Sequence, residues 1–237
     1  MLVTGAASGI GRATVLRAIE EGAVVAAVDL DRDGLAALTD GVPAGTHIAT
    51  AVVDVADREA LTRAVTELVD EVGPLDGVFA NAGVLPPPRS ATDLDWDEWD
   101  RVLAVNLTGA MATLVASLPH LVDGASLLVS GSSLAIRPRE QRLAYVAAKA
   151  GLHAAAKALA LELAPRRIRV NVLAPGLTDT PMVLAIPGHV EGGLPSVPLG
   201  QLVPPDEVAA MAVHLLSDDA PNVTGAVFSI DGGRTAG

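Results

Sequence analysis

Tyr145 and Lys149 stand four residues apart in the stretch AYVAAKAG, and they are the chain's one tyrosine and one of its two lysines, against fourteen arginines. Side chains at i and i+4 share one face of an α-helix. A free phenol has a pKa of about 10 and is a poor base near neutrality. An adjacent ammonium favours the phenolate and lowers that pKa, which makes the pair an acid–base device. Chance placement on an alanine-rich helix is the plain alternative. Upstream, SGSSLAIRP offers the hydroxyls of Ser130, Ser132 and Ser133, able to polarise a substrate oxygen or simply to bond at a strand end. Asn106, in LAVNLTGA, is an amide among apolar neighbours in mid-helix, and a buried amide needs partners.

A second constellation lies at the start of the chain. TGAASGIG sets glycines at 5, 9 and 11, in a position to turn from a strand into a helix. Glycine permits the tight turn and close backbone approach, while the helix N-terminus offers free N–H groups and positive potential to a pyrophosphate. An ordinary structural turn would use the same residues. Asp29 follows Gly11 by eighteen residues and ends the next apolar run. A carboxylate there accepts two ribose hydroxyls and repels a 2′-phosphate. Ser8 and Leu30 beside it are uncharged, so the pattern points to NAD rather than NADP. Helix capping by Asp29 or Asp31 is the competing reading.

The elements that must hold these residues can be read from the alternation of short apolar runs with longer amphipathic ones. Strands are expected at MLVT, 23–30, 46–55, 75–83, 125–131, 167–176 and 226–230. Helices are expected at 9–21, 57–71, 97–118, from Tyr145 to about Ala164, and 205–217. Strands apolar throughout, separated by helices, imply a parallel sheet covered on both faces, which binds ligands beyond its strands' carboxyl ends. No repeat, linker or low-complexity tract interrupts the 237 residues, so residues 1–237 read as one domain.

Composition narrows the function further. Half the residues are apolar and 19% are charged, and the net charge is −12. That balance disfavours disorder and works against binding to nucleic acid or an anionic membrane. The chain has no cysteine, which removes disulfides, thiolate metal sites and a cysteine nucleophile and fits a cytoplasmic protein. His47, His120, His153, His189 and His214 lack metal-ligand spacing, so no metal is expected. Neither a leader-like opening nor a run of about 18 uninterrupted apolar residues occurs, and no membrane span is expected.

The pattern T-G-x-x-x-G-x-G, NAG at 81–83, Asn106, a serine thirteen residues before Tyr145, and Y-x-x-x-K stand here in order and spacing. With DV at 54–55, RVNVLAPG at 169–176 and DGG at 231–233, the chain closely resembles the short-chain dehydrogenase/reductase family in its compact form, over essentially its whole length. The resemblance implies a Rossmann-type doubly wound parallel sheet of about seven strands, an α/β fold. It implies that Tyr145 exchanges a proton with the substrate oxygen, and that Lys149 also bonds the nicotinamide ribose. Asn106 would hold a water linking Lys149 to solvent, with a purely structural amide as the alternative. The spacing of thirteen selects Ser132 as the serine on the substrate oxygen, whereas the second serine of the SS pair, Ser133, serves in many members.

Cofactor contacts are expected, by the same resemblance, from Gly5, Ser8, Gly9, Ile10, Gly11, Asp29, Leu30, Asp54, Val55, Asn81, Ala82, Gly83, Tyr145, Lys149, Pro175, Gly176, Thr178 and Thr180. Residues 182–199, rich in Gly and Pro, read as a mobile substrate lid. With VLPPPRS at 84–90 they would shape a largely apolar pocket. The leading expectation is an NAD-dependent dehydrogenase or reductase of secondary alcohols and ketones. A 3-oxoacyl-thioester reductase is the alternative, with Arg137, Arg139 and Arg142 of IRPREQR available to a phosphopantetheine or acidic carrier, or else a solvated loop or subunit contact. A non-catalytic dinucleotide sensor is the third. Lys157 is expected to be solvated. The three-residue first strand is short for the family and should weaken the sheet. Excess apolar and small residues on the helices near 97–118 and 143–164 imply a second packing partner, and the resemblance implies a homotetramer of D2 symmetry, with a dimer as the fallback.

Overall fold

Successive strand residues point to opposite faces of a sheet, and here both faces are apolar. Val3, Val25, Ala27, Phe79, Leu128 and Leu173 join one buried cluster, while Leu2, Ala26, Val28, Val78, Leu127 and Val172 join another. Each face therefore needs a cover. In the computed structural model, which describes residues 1–237, the strands are β1 (Leu2–Thr4), β2 (Val25–Asp29), β3 (Ile48–Val52), β4 (Leu75–Ala80), β5 (Leu121–Ser130), β6 (Arg169–Pro175) and β7 (Val227–Ile230). All neighbours are parallel, in the order β3-β2-β1-β4-β5-β6-β7.

The helices are α1 (Gly9–Glu20), α2 (Arg32–Asp40), α3 (Arg58–Val72), α4 (Trp96–Leu103), α5 (Ala110–Ser117), α6 (Leu143–Leu163), α7 (Pro181–Leu184), α8 (His189–Gly193) and α9 (Pro205–Leu216). Val15, Leu35, Leu38, Val208 and Leu215 bring α1, α2 and α9 onto one face. Leu61, Leu114, Leu152 and Leu159 bring α3, α5 and α6 onto the other. Chain order reverses between β1 and β4, and ligand sites of doubly wound sheets open at that point.

Three elements differ from the sequence expectation. The helix expected over 97–118 is interrupted by a π-helical turn, Ala104–Gly109. Asn106 Nδ2 donates to the Val102 carbonyl at 3.0 Å, the acceptor that an α-helix would offer to the Asn106 backbone N–H. Such turns are frequent at functional sites. Helix α2 was not apparent in RDGLAALTD; Asp31 nucleates it by accepting from the Asp33 and Gly34 N–H groups. The segment 182–199, for which no helix was expected, is largely helical, with α7 capped by Thr180 and with Val183, Ile186, His189 and Val197 buried.

The short β1 is paired along its length with β2 and over Leu2 and Val3 with β4, and all three of its residues are buried. The Met1 ammonium adds a bond to the Val24 carbonyl at 2.8 Å. Trp96–His120 is the one helical stretch long and apolar enough to cross a membrane. It is a packed helix of this fold, with Val102, Asn106, Leu114 and Ser117 buried at 1% exposure or less.

Candidate active site

The carboxyl ends of β1 to β6 open onto one cavity of about 380 Å³. On its β1–β3 side the walls are mostly backbone. Gly5 turns with φ +68°, and α1 begins at Ser8 with no side-chain cap and no acid in its first turn. Its N–H groups are therefore left for a ligand. Asn81 Nδ2 holds this turn through the Thr4 and Gly5 carbonyls at 3.1 and 3.3 Å, while the Thr4 hydroxyl accepts from the Asn81 and Ala82 N–H groups. Asp29 accepts from Ala7 N at 2.9 Å and Asp31 N at 2.9 Å, and lines the cavity with Leu30, Asp54 and Val55. Asp31, not Asp29, is the helix cap. A carboxylate has about four lone-pair sites, so Asp29 keeps acceptor capacity toward the cavity. This uncapped helix end with a free carboxylate beside it fits a dinucleotide's pyrophosphate and ribose.

At the other end of the cavity, α6 carries Tyr145 half-buried and Lys149 buried. Ser132 and Tyr145 line the cavity together, and the Ser132 hydroxyl accepts from Leu134 N at 3.1 Å. Ser133 turns its hydroxyl instead toward Arg234, at 3.5 Å. Lys149 Nζ donates to the Ser130 carbonyl at 2.6 Å and lies 5.8 Å from the Tyr145 ring centroid. Burial draws the Lys149 ammonium down to about 8. Burial also raises the Tyr145 phenol, against the smaller pulls of the Ser132 hydrogen bond and the Arg142 charge. Desolvation thus opposes the charged form of each partner, and the Arg142 charge is one of the pulls that favour the phenolate.

A family model described as Enoyl-(Acyl carrier protein) reductase matches residues 5–235. The chain belongs to the short-chain dehydrogenase/reductase family. It is 37% identical over 240 residues to the 3-oxoacyl-[acyl-carrier-protein] reductase of Thermotoga maritima, covering 98% of this chain and 96% of that one. It is also 37% identical over 241 residues to the cis-4-hydroxycyclohexanecarboxylate dehydrogenase of Sinomonas cyclohexanicum, covering 99% and 96%. Among solved structures, the 3-ketoacyl-(acyl-carrier-protein) reductase of Brucella melitensis complexed with NADH superposes with a TM-score of 0.91 at 30% identity, covering 99% of this chain and 97% of that one. This member of the short-chain dehydrogenases/reductases is an oxidoreductase that exchanges hydride between a nicotinamide dinucleotide and a hydroxyl or carbonyl carbon.

Within this dehydrogenase/reductase nearly every residue singled out in the sequence lines the cavity, including Gly9, Ile10, Gly83, Asn106, Pro175, Gly176, Thr178 and Thr180. Gly11 does not. A side-chain carbon there would fall 1.9 Å from the Gly5 carbonyl oxygen, so its bareness seats α1 against the turn. Asn106 spends its amide on Val84, donating to the carbonyl at 2.9 Å and accepting from the N–H at 3.2 Å. A side-chain carbon on Gly83 would lie 2.7 Å from Asn106 Oδ1 and 3.6 Å from Lys149 Nζ. Asn106 therefore anchors the strand-4 turn beside the lysine.

Sequence reasoning missed four side chains here. His153, one turn beyond Lys149, accepts the Ser132 backbone N–H at 3.3 Å. Burial, then the charges of Lys149 and Lys157, hold it neutral with a pKa of about 4. The i+4 spacing from Lys149 was its one signal. Arg142 and His189 meet at 2.8 Å, and Arg234 reaches the Ser133 carbonyl at 3.1 Å. Partners so distant in sequence leave no local signature. Arg142, offered by the sequence to an acidic carrier or else to a solvated loop or subunit contact, is buried at the N-terminus of α6, whereas Lys157 is exposed as expected.

Proposed function

We propose that the enzyme prefers NAD and interconverts a secondary alcohol and its ketone, with Tyr145 as the proton-transfer group. The observation that carries this reading is the convergence of Ser132, Tyr145 and buried Lys149 on one cavity wall, with Lys149 Nζ 5.8 Å from the Tyr145 ring centroid. When bound in its oxidised form, the dinucleotide supplies the hydride acceptor and a positive charge near the phenol. Tyr145 takes the alcohol proton at its phenol oxygen during oxidation and returns it to the carbonyl oxygen during reduction. Ser132 donates to the same substrate oxygen and fixes its position. Lys149, tethered to the Ser130 carbonyl, keeps a cation under the tyrosine and presents its remaining donors to the ribose.

The preference for NAD follows from charge. Asp29 stands at the end of β2 on the cavity wall, and neither Arg12 nor Arg32 lines that wall. A 2′-phosphate would meet the carboxylate without a neutralising cation. Steady-state kcat/KM with NAD and NADP over a panel of secondary alcohols and ketones is the test. Equal use of NADP overturns the preference, and no turnover with either overturns the alcohol reading. A second reading, reduction of a 3-oxoacyl thioester, has the similarity to the Thermotoga enzyme in its favour, and a 3-oxoacyl-CoA in the same panel distinguishes it.

Residues 182–199 act in this reading as the cover of the substrate. The enzyme assembles as a D2 homotetramer. In support, α6 leaves Leu161 81% exposed, and Trp96 and Val115 on the neighbouring α4 and α5 are 67% and 55% exposed. An uncovered leucine among small alanines suits close helix packing between copies. Light scattering on a sizing column should give about four times the 24.0 kDa chain mass; a monomer refutes it.

A further inference from the structure

The cavity wall around the substrate carries positive charge that the protein does not itself balance. Arg139 and Arg142 come from the segment before α6, His189 from the start of α8, and Arg234 from the closing segment. Arg139, His189 and Arg234 line the same cavity as Ser132 and Tyr145. Arg142 lies behind them, bonded to the Pro86 carbonyl and 2.8 Å from His189 Nδ1. Arg234 is spent on the Ser133 and Arg137 carbonyls.

None of the chain's four ion pairs includes any of these arginines. Glu140 and Glu191, the acids of the same segments, pair with none of them. Asp231 acts on Arg234 only through its field, because its oxygens are taken by Gly233 N, Thr235 N and the Thr235 hydroxyl. The acids on the cavity wall are Asp29 and Asp54, both at the β2–β3 end. Burial and then the mutual charge of this cluster push Arg142 and His189 below their ordinary pKa values. Buried like charges without a counter-charge cost free energy. An exposed guanidinium with no partner of its own, as at Arg139, is a bidentate donor matched to a carboxylate.

We propose that the substrate carries a carboxylate, bound by the Arg139 guanidinium with Arg234 and the Arg142–His189 pair behind it. This rests on the dehydrogenase reading and narrows the substrate from an apolar alcohol to a hydroxy acid on an apolar frame. The anion site lies on the substrate side of the cavity: a side-chain carbon on Gly192 or Gly193 would lie 3.0 or 3.5 Å from the Arg139 guanidinium, and Arg234 holds the residue next to Ser132. A carrier phosphate sits a whole pantetheine arm from its reacting carbon, so a carboxylate on the substrate itself fits this placement.

Calorimetric titration of the NADH-loaded enzyme with cyclohexanecarboxylate and with cyclohexanecarboxamide reads the anion site without turnover. The carboxylate should bind about tenfold more tightly than the amide, and Arg139→Ala should erase that preference while Arg139→Lys keeps part of it. Equal binding of the two probes, or a preference that survives Arg139→Ala, overturns the proposal. In turnover, the ratio of kcat/KM for a ring-carboxylated cyclohexanol over cyclohexanol should fall by about the same factor in Arg139→Ala. Tight carboxylate binding without turnover of either alcohol sustains the anion site and counts against the alcohol reading alone.

Discussion

The two ends of the cavity are built by opposite means. The dinucleotide end uses backbone: a glycine turn, the uncapped start of α1 and one carboxylate, Asp29, bonded to its neighbours' N–H groups. The substrate end uses buried side chains whose partners are 47 and 101 residues away. One end bears acids and the other bears arginines and a histidine. A local backbone device tolerates no change in its few residues, whereas a tertiary cluster can be rebuilt by side-chain exchange. Binding of the dinucleotide and choice of substrate are therefore separable in this fold.

Substitutions at each end should break different functions. The largest effect is expected from Tyr145→Phe, which should lower kcat by about a thousandfold or more, because proton transfer contributes about that much. NADH affinity by fluorescence titration should change by less than about twofold, since the dinucleotide end is untouched. Retention of a tenth of the activity would move the proton transfer to another group.

Ser132→Ala should cost about a hundredfold in kcat, the usual loss for one donor on a developing oxyanion. Ser133→Ala should cost far less, because its hydroxyl faces Arg234. The reverse ranking would assign the substrate oxygen to Ser133. At the opposite end, Asp29→Ala should shrink the NAD over NADP ratio of kcat/KM by about tenfold through lost repulsion, with kcat on NAD little altered. An unchanged ratio would place the discrimination elsewhere.

A last effect, on stability and not on turnover, arises beneath the substrate end. His153 titrates at about 4 in the native state against an ordinary 6.5. Between those values the unfolded chain holds a proton that the native state does not, so stability falls as pH drops from 6.5 to 4. The loss, on the order of 3 kcal/mol, levels off below pH 4. His153→Leu should flatten this part of the dependence of urea midpoints on pH. A slope equal to the parent's would mean that other groups carry it.

What was legible in the sequence follows the same division. Gly5, Asp29, Asn81 and the strand ends that carry them could be read because parallel topology sends every strand's carboxyl end to one edge, and strand periodicity marks those ends. Tyr145 and Lys149 could be read from helical spacing together with the order of the motifs around them. Gly11 shows what sequence leaves open: it marks a required glycine without saying whether ligand or backbone fills the space, and here the Gly5 carbonyl stands against it. The π turn at Asn106 stayed hidden because its cause is a side-chain bond to Val84 and Val102, invisible to periodicity. Arg142 looked like loop surface because its partners, Pro86 and His189, arrive only with the tertiary fold.

Isotope transfer tests the central claim most directly. A secondary alcohol deuterated at its carbinol carbon is turned over with NAD, and the reduced dinucleotide is weighed by mass spectrometry. Direct hydride transfer predicts that the reduced dinucleotide carries that deuterium without exchange with solvent, and that Tyr145→Phe suppresses its formation. Unlabelled reduced dinucleotide, or label formed at an undiminished rate in Tyr145→Phe, would contradict the account.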